Sequence, residues 1–341
     1  METNVLRRTF LGGVLAAATP VLDLAALDHL TAASRDARRY SDDQLVAHLR
    51  TALDETARTD SLVGPHTALP TALGLITAID SSAREADPAV RHQLLNIGAR
   101  AAELVAWLYR DAGAPAHTTS YWHAQAKEWA TLTGDGTMHA YVLLRQAQAT
   151  DRSDAARMLD LARAATNDPW TLPPRPRAEA YQQEARALAL TGADSGQVTR
   201  VLDLAYAALD QADPVQALPT CTGPLGESYT AERLMVQSAI CYREARQPER
   251  AVALFRQHLS DGTFAPRDRA FFTAQLAGTL ADAGEPDEAA TVALQALGLA
   301  ADARFGQALA ELSRTADTLR HWARRPAVRD FQERLLAVAA G

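Results

Sequence analysis

The sequence predicts an all-α protein built as a superhelix of stacked helical hairpins. Three observations carry that expectation. Two stretches near the C-terminus, Arg246-Gln247-Pro248-Glu249-Arg250-Ala251 and Gly284-Glu285-Pro286-Asp287-Glu288-Ala289, each follow one apolar helical segment and open another, with Pro286 lying 38 positions after Pro248. A turn, an acidic helix start and an alanine returning at such a period mark stacked repeats. Hydrophobic residues make up 48% of the 341 residues but aromatics only 6%, so the apolar share is mostly Ala and Leu, the strongest helix formers. Long alternations of Val, Ile, Thr and Tyr are missing, so no sheet is expected.

The elements follow in order. Residues 1–40 form an apolar and basic lead-in ending in Arg35-Asp36-Ala37-Arg38-Arg39. Ser41 is expected to cap the next helix, with Asp42 and Asp43 in its first turn, where the helix dipole favours acids. Leu45, Leu49 and Leu53 share one face of it. Gly64-Pro65 ends the pattern, and a second helix is expected around 69–79. Asp87-Pro88 opens a helix over 88–111, which breaks at Gly113-Ala114-Pro115 and resumes over 118–132. The loop Gly134-Asp135-Gly136 leads to a helix at 137–149, a turn at Asp151-Arg152-Ser153-Asp154 and a helix at 155–165.

Four prolines between Pro169 and Pro176 predict an irregular stretch. The next pair, 177–190 and 196–211, is split at Gly192-Ala193-Asp194, and a Pro/Gly-rich loop over 214–226 carries Cys221. Two clear repeats occupy 230–259 and 267–300. The closing stretch 306–340, with Trp322, Pro326 and Phe331, is expected to cover the end of the stack. The chain thus divides into the lead-in, 1–40, and one continuous helical-repeat domain, 41–341.

Within the lead-in, Arg7-Arg8-Thr9-Phe10-Leu11 and the apolar run after it read either as a twin-arginine export signal or as an apolar segment retained in the protein. The run is too short to span a membrane. Asp23 and Asp28 come early, no A-x-A site precedes them, and the helical pattern continues through Leu22, Leu24, Leu27 and Leu30. The expected location is the cytoplasm, with twin-arginine export as the alternative.

Chemistry is sparse. With 34 basic and 41 acidic residues the formal charge is −7, which argues against a dedicated nucleic-acid binder. Cys221 and Cys241 form no C-x-x-C pair and are expected to be free thiols. His117 and His123 do not share a helical face, and His92, His139 and His258 read as solvated or packing residues. No H-E-x-x-H or G-x-S-x-G occurs, and neither Gly12-Gly13 nor Gly223-Pro224-Leu225-Gly226 has the context of a phosphate loop. The one lysine, Lys127, sits beside Glu128 as a surface charge would. No metal, no cofactor and no catalytic residue is expected. Trp107, Trp122 and Trp129 offer an aromatic ligand pocket or ordinary packing, and the common face of Trp122 and Trp129 favours packing.

The repeats at 230–259 and 267–300 resemble the tetratricopeptide pattern. Ala239 and Tyr242 stand at the small and aromatic positions of the first helix, Ala251 and Phe255 at those of the second; Ala277, Leu280, Ala289 and Ala293 form a more degenerate copy. The resemblance implies a right-handed superhelix with a concave groove. In its register the groove-facing residues are Arg100, Glu103, Trp107 and Arg110, then Glu179, Gln182 and Arg186, then Arg233, Val236, Ile240 and Arg243. Arginine forks match carboxylates, so the groove suggests an anionic peptide or an acidic partner segment.

A narrower resemblance spans roughly 42–340. Leu62-Val63-Gly64-Pro65, Ala106-Trp107-Leu108-Tyr109-Arg110-Asp111-Ala112-Gly113, Tyr121-Trp122 and Tyr141-Val142-Leu143-Leu144-Arg145, in that order, are similar to the helical C-terminal half of actinobacterial Xre-type regulators and their developmental relatives. Arg7-Arg8-Thr9-Phe10-Leu11 is similar to the linker between the domains of such regulators. Those proteins open with a helix-turn-helix domain of about 60–70 residues; here only residues 1–41 precede the match.

The resemblance implies a role in transcriptional or developmental control. The expected protein is a non-enzymatic regulator that binds a peptide or partner protein, such as a transcriptional regulator, in the groove. It would have no direct DNA contact and no membrane span, with homodimerisation open. The alternatives are a direct DNA-binding regulator and an exported scaffold protein.

Overall fold

The computed structural model describes residues 24–167, 169, 172–212, 229–260 and 262–340. Among them are sixteen α-helices and no strand: α1 (Leu24–Arg35), α2 (Ala37–Tyr40), α3 (Asp43–Val63), α4 (Pro65–Glu85), α5 (Pro88–Asp111), α6 (Ala116–Leu132), α7 (Gly136–Ala149), α8 (Ala155–Thr166), α9 (Pro174–Leu190), α10 (Ser195–Asp210), α11 (Ala231–Glu244), α12 (Pro248–His258), α13 (Pro266–Asp282), α14 (Pro286–Ala300), α15 (Gly306–Thr318) and α16 (Pro326–Ala340). From α3 onward they pair as antiparallel hairpins, α3/α4 to α15/α16, in a tetratricopeptide-like stack. In front, α1 and α2 pack on α3 and α4, burying Ala26, Leu30 and Ala33. No described helix is long and apolar enough to cross a membrane. Arg7-Arg8, Cys221 and the glycines of the 214–226 loop lie outside the described residues.

The repeated turns share one hydrogen-bond pattern. At the end of α11, Ala245 N–H donates to Cys241 O, Arg246 N–H to Arg243 O and Gln247 N–H to Tyr242 O; at the end of α13, Ala283, Gly284 and Glu285 donate to Thr279, Ala281 and Leu280 in the same way. This is the Schellman stop, whose turning residue needs a left-handed backbone. Gly284 adopts it at φ 81°, and Arg246, in the equivalent place, adopts it at φ 58° despite its Cβ.

Three local expectations are corrected. The cap of α3 is Asp42, whose carboxylate accepts from Leu45 N–H at 2.9 Å, and not Ser41. Helix α4 is longer than 69–79: Pro65 serves as its first residue, where no N–H is needed, and the helix runs past Pro70 at the loss of one backbone bond. The proline-rich stretch becomes regular at Pro174, because Pro174 and Pro176 both fall in the first turn of α9, whose N–H groups have no partner within the helix.

Close packing rests on small residues. Trp129 of α6 is buried with its ring over Gly98 of α5, so a Cβ at Gly98 would sit 2.5 Å from the ring. Gly98→Ala is therefore expected to lower stability by about 1–3 kcal/mol, read as a fall in Tm or in the denaturant midpoint. An unchanged midpoint would show that the indole moves aside freely.

The superhelix closes on itself. α13 packs against α3, and α15 packs against α5. Gly306 at the start of α15 approaches the Asp111 carbonyl at the end of α5, and Gln307 N–H donates to Asp111 Oδ1 at 3.0 Å. Gly64, at φ 94°, meets Ala303 O across the same seam. Arg267 of α13 and Asp60 of α3, 207 positions apart, form a buried ion pair. The C-terminal hairpin thus closes a ring as well as covering the end of the stack.

Candidate functional site

Closure turns the concave groove into a cavity of about 570 Å³. Its wall comes from α3, α5, α7, α9, α11, α13 and α15, the first helix of every hairpin, while the second helices form the outer layer. The volume lies within the roughly 300–1,000 Å³ typical of small-ligand sites.

Of the residues selected from the sequence, Arg100, Glu103, Trp107, Arg110, Gln182, Arg186 and Arg233 line this cavity, as do Glu179 and Ile240. Val236 and Arg243 do not. The face that α11 turns inward is Arg233, Gln237 and Ile240, spaced for one helical stripe, which leaves Val236 in the core. Arg243 is walled in between α11, α13 and α15. Its Nε donates to Asp282 Oδ2 at 2.6 Å, and one terminal nitrogen donates to Glu311 Oε1 at 2.5 Å and to Gln275 Oε1 at 3.1 Å. Glu311, fully buried, is also held by Arg314. Arg243 is therefore a structural guanidinium that joins three inner helices.

Arg145 is the residue that sequence reasoning missed on α7. Met138, Tyr141, Arg145 and Gln148 line the cavity at helical spacing, a signal available once α7 is recognised as an inner helix. Arg145 Nε donates to Glu103 Oε1 at 2.5 Å and a terminal nitrogen to Gln148 Oε1 at 2.8 Å; Gln148 in turn donates to Glu179 Oε1 at 2.8 Å. The guanidinium lies 4.1 Å from the centre of the Trp107 ring, with those of Arg267 at 5.0 Å and Arg110 at 5.6 Å. Trp107 is thus a wall residue within an arginine cluster. Trp129 is core, and Trp122 packs half-buried against the same core.

The electrostatics divide the wall in two. On the closing side, Asp60, Asp111 and Asp268 gather. Burial pushes the Asp60 carboxyl up to about 6 in spite of Arg267, with Asp111 adding to the rise. The Trp107 indole N–H lies toward Asp60 without a well-formed hydrogen bond, and Asp60 Oδ1 and Asp111 Oδ2 are buried without hydrogen-bond partners among the described residues. Burial also works against Asp268, but Arg233 and Arg267 together hold its carboxyl below the usual range.

On the other side stand Arg110, Arg145 and Arg186, with Glu103 and Glu179 among them. Burial, then Arg145 and Arg186, push the Arg110 guanidinium down to about 9. Behind the wall, burial with Arg145, Arg110 and Lys127 brings His123 down to about 3, so its imidazole is neutral at physiological pH. Cys241, buried and accepting from Gln182 Nε2 at 3.3 Å, is pushed up to about 12, a packed thiol rather than a reactive one. Among the described residues, no three His, Cys, Asp or Glu side chains are grouped to hold a metal. The arrangement is suited to binding and orienting a ligand with anionic groups.

No protein-family model matches the sequence, and no curated protein matches it. Among solved structures, the chain is similar to the crystal structure of a Rap protein complexed with competence and sporulation factor. That match covers 99% of this chain and 98% of that chain at 12% identity, with a TM-score of 0.49.

Proposed function

We propose that this protein is a non-enzymatic regulator that takes a short peptide into its central cavity. The observation that carries this reading is the cavity itself, walled by the inner helix of every hairpin and edged by guanidiniums beside an exposed part of an indole. Its volume suits about a drug-sized ligand and not a folded partner, which favours the peptide over a partner protein laid along an open groove. The setting, control of transcription or development in the cytoplasm, comes from the resemblance of the Trp107–Gly113 and Tyr141–Arg145 segments to the helical half of Xre-type regulators. Binding would act by changing how firmly the ring is closed, since ligand and seam share the wall at Trp107 and Arg267.

The test is native mass spectrometry of the full chain against pools of free peptides of about five residues, a drug-sized load. The expected result is one peptide retained per chain and a rise in Tm that grows with peptide concentration. Retention of no peptide from any pool would refute the reading.

A further inference from the structure

Seven arginines line the cavity, Arg50, Arg100, Arg110, Arg145, Arg186, Arg233 and Arg267, but they do not bring equal charge to it. Arg145 is matched by Glu103, Arg233 by Asp268 and Arg267 by Asp60. Arg50 is exposed, and with Arg100 it stands within electrostatic reach of Asp54. Arg110 and Arg186 are paired less directly than Arg145, Arg233 and Arg267.

Arg110, in the last turn of α5, makes no ion pair and no hydrogen bond among the described residues; its acidic neighbour Asp111 gives one oxygen to the Gln307 N–H. Arg186, near the end of α9, lies 3.8 Å from Glu244, but both oxygens of that carboxylate already accept from Arg152. Its Nε is buried without a hydrogen-bond partner. The charges of Arg145 and Arg186 both work against that of Arg110, and the Trp107 ring lies beside Arg110. A buried donor left unmatched is costly, and guanidinium forks that face one cavity from α5 and α9, on either side of α7, are suited to an anionic group of a ligand.

We infer that Arg110 and Arg186 form an anion anchor that binds a carboxylate of the ligand, with Trp107 flanking it. This rests on the reading of the cavity as a peptide site and adds the chemistry by which the peptide is held. The carboxylate comes from the peptide's own C-terminus or from an Asp or Glu side chain.

Three peptide pools separate these sources: free acids without Asp or Glu, C-terminal amides without Asp or Glu, and C-terminal amides containing them. Retention of the first or third pool at least about tenfold above the second is expected, as charge-assisted recognition requires. The first pool alone identifies the terminus, and the third alone identifies a side chain. The double variant Arg110→Gln/Arg186→Gln should abolish that preference, while Arg200→Gln, exposed on the outer helix α10, should keep it.

Because Arg110 makes no ion pair and Glu244 keeps Arg152, the double variant should fold with an unchanged helical spectrum, and that spectrum is recorded alongside. Equal retention of neutral amides and acids by the native chain would overturn the anchor while leaving the peptide site standing. So would a preference that survives in the folded double variant. Retention of none of the pools would refute both readings together.

Discussion

Replacing Gly306 with valine is expected to open the ring and to destabilise the protein by about 3 kcal/mol, the upper range for forcing atoms into a filled space. The backbone of Gly306 is ordinary; what demands glycine is the approach of the Asp111 carbonyl, which stands where the Cβ would go. The obstruction is backbone at the end of α5, so no side-chain rotation relieves it. The same approach seats Gln307 N–H on Asp111 Oδ1, and a displaced α15 loses that bond as well. Small-angle scattering should show a larger radius of gyration with unchanged helix content, together with a lower Tm. A variant with the native radius and native Tm would mean that the seam yields without opening.

The second large effect concerns Arg267 and depends on pH. Arg267→Met leaves the Asp60 carboxylate, 1% exposed, with no counter-charge at the seam. Breaking a buried pair in this way costs about 3 kcal/mol or more while the remaining group stays charged. Asp60 already titrates at about 6, raised by burial against the opposing pull of Arg267. A group whose folded value is raised contributes stability that is full below its unfolded value and is lost as pH rises through the folded value. Without Arg267 that folded value moves higher still, so the loss extends further up the pH scale.

The difference in unfolding free energy between native chain and variant should therefore be large at about pH 8 and small at about pH 5, where Asp60 is neutral in both. Asp268, which Arg267 also approaches at 3.7 Å, keeps its pairing with Arg233 and should add little to the slope. Denaturant titrations across this range give the result directly. A difference that does not vary with pH would exclude Asp60 as its origin.

Much of this architecture is written in local pattern. The turns at Arg246 and Gly284, the acid-capped starts, and the Ala-and-Leu faces are all decided within one or two helical turns of chain, and apart from α4, which runs well beyond 69–79, the helix bounds agree with the sequence reading within a few residues. The same locality explains why Arg100, Glu103, Trp107 and Arg110 fall together on the cavity wall: a 3.6-residue period projects them to one side of α5 whatever lies opposite. Where the register was off by one, on α11, Val236 went into the core and Gln237 onto the wall.

Closure has a different origin. Asp60 meets Arg267, and Asp111 meets Gln307, across about two hundred positions. Nothing near either residue announces its partner, because the meeting depends on small rotations accumulated from hairpin to hairpin. That summed curvature turned an expected open groove into a walled cavity and enclosed Arg243 between three helices. It also left Arg110 without an ion pair and Arg186 sharing Glu244 with Arg152. Local periodicity is enough to make the helices and choose their faces, because each choice involves only neighbours in the chain. Which charges on those faces are cancelled, and which remain for a ligand, follows from contacts that exist only once the ring has closed.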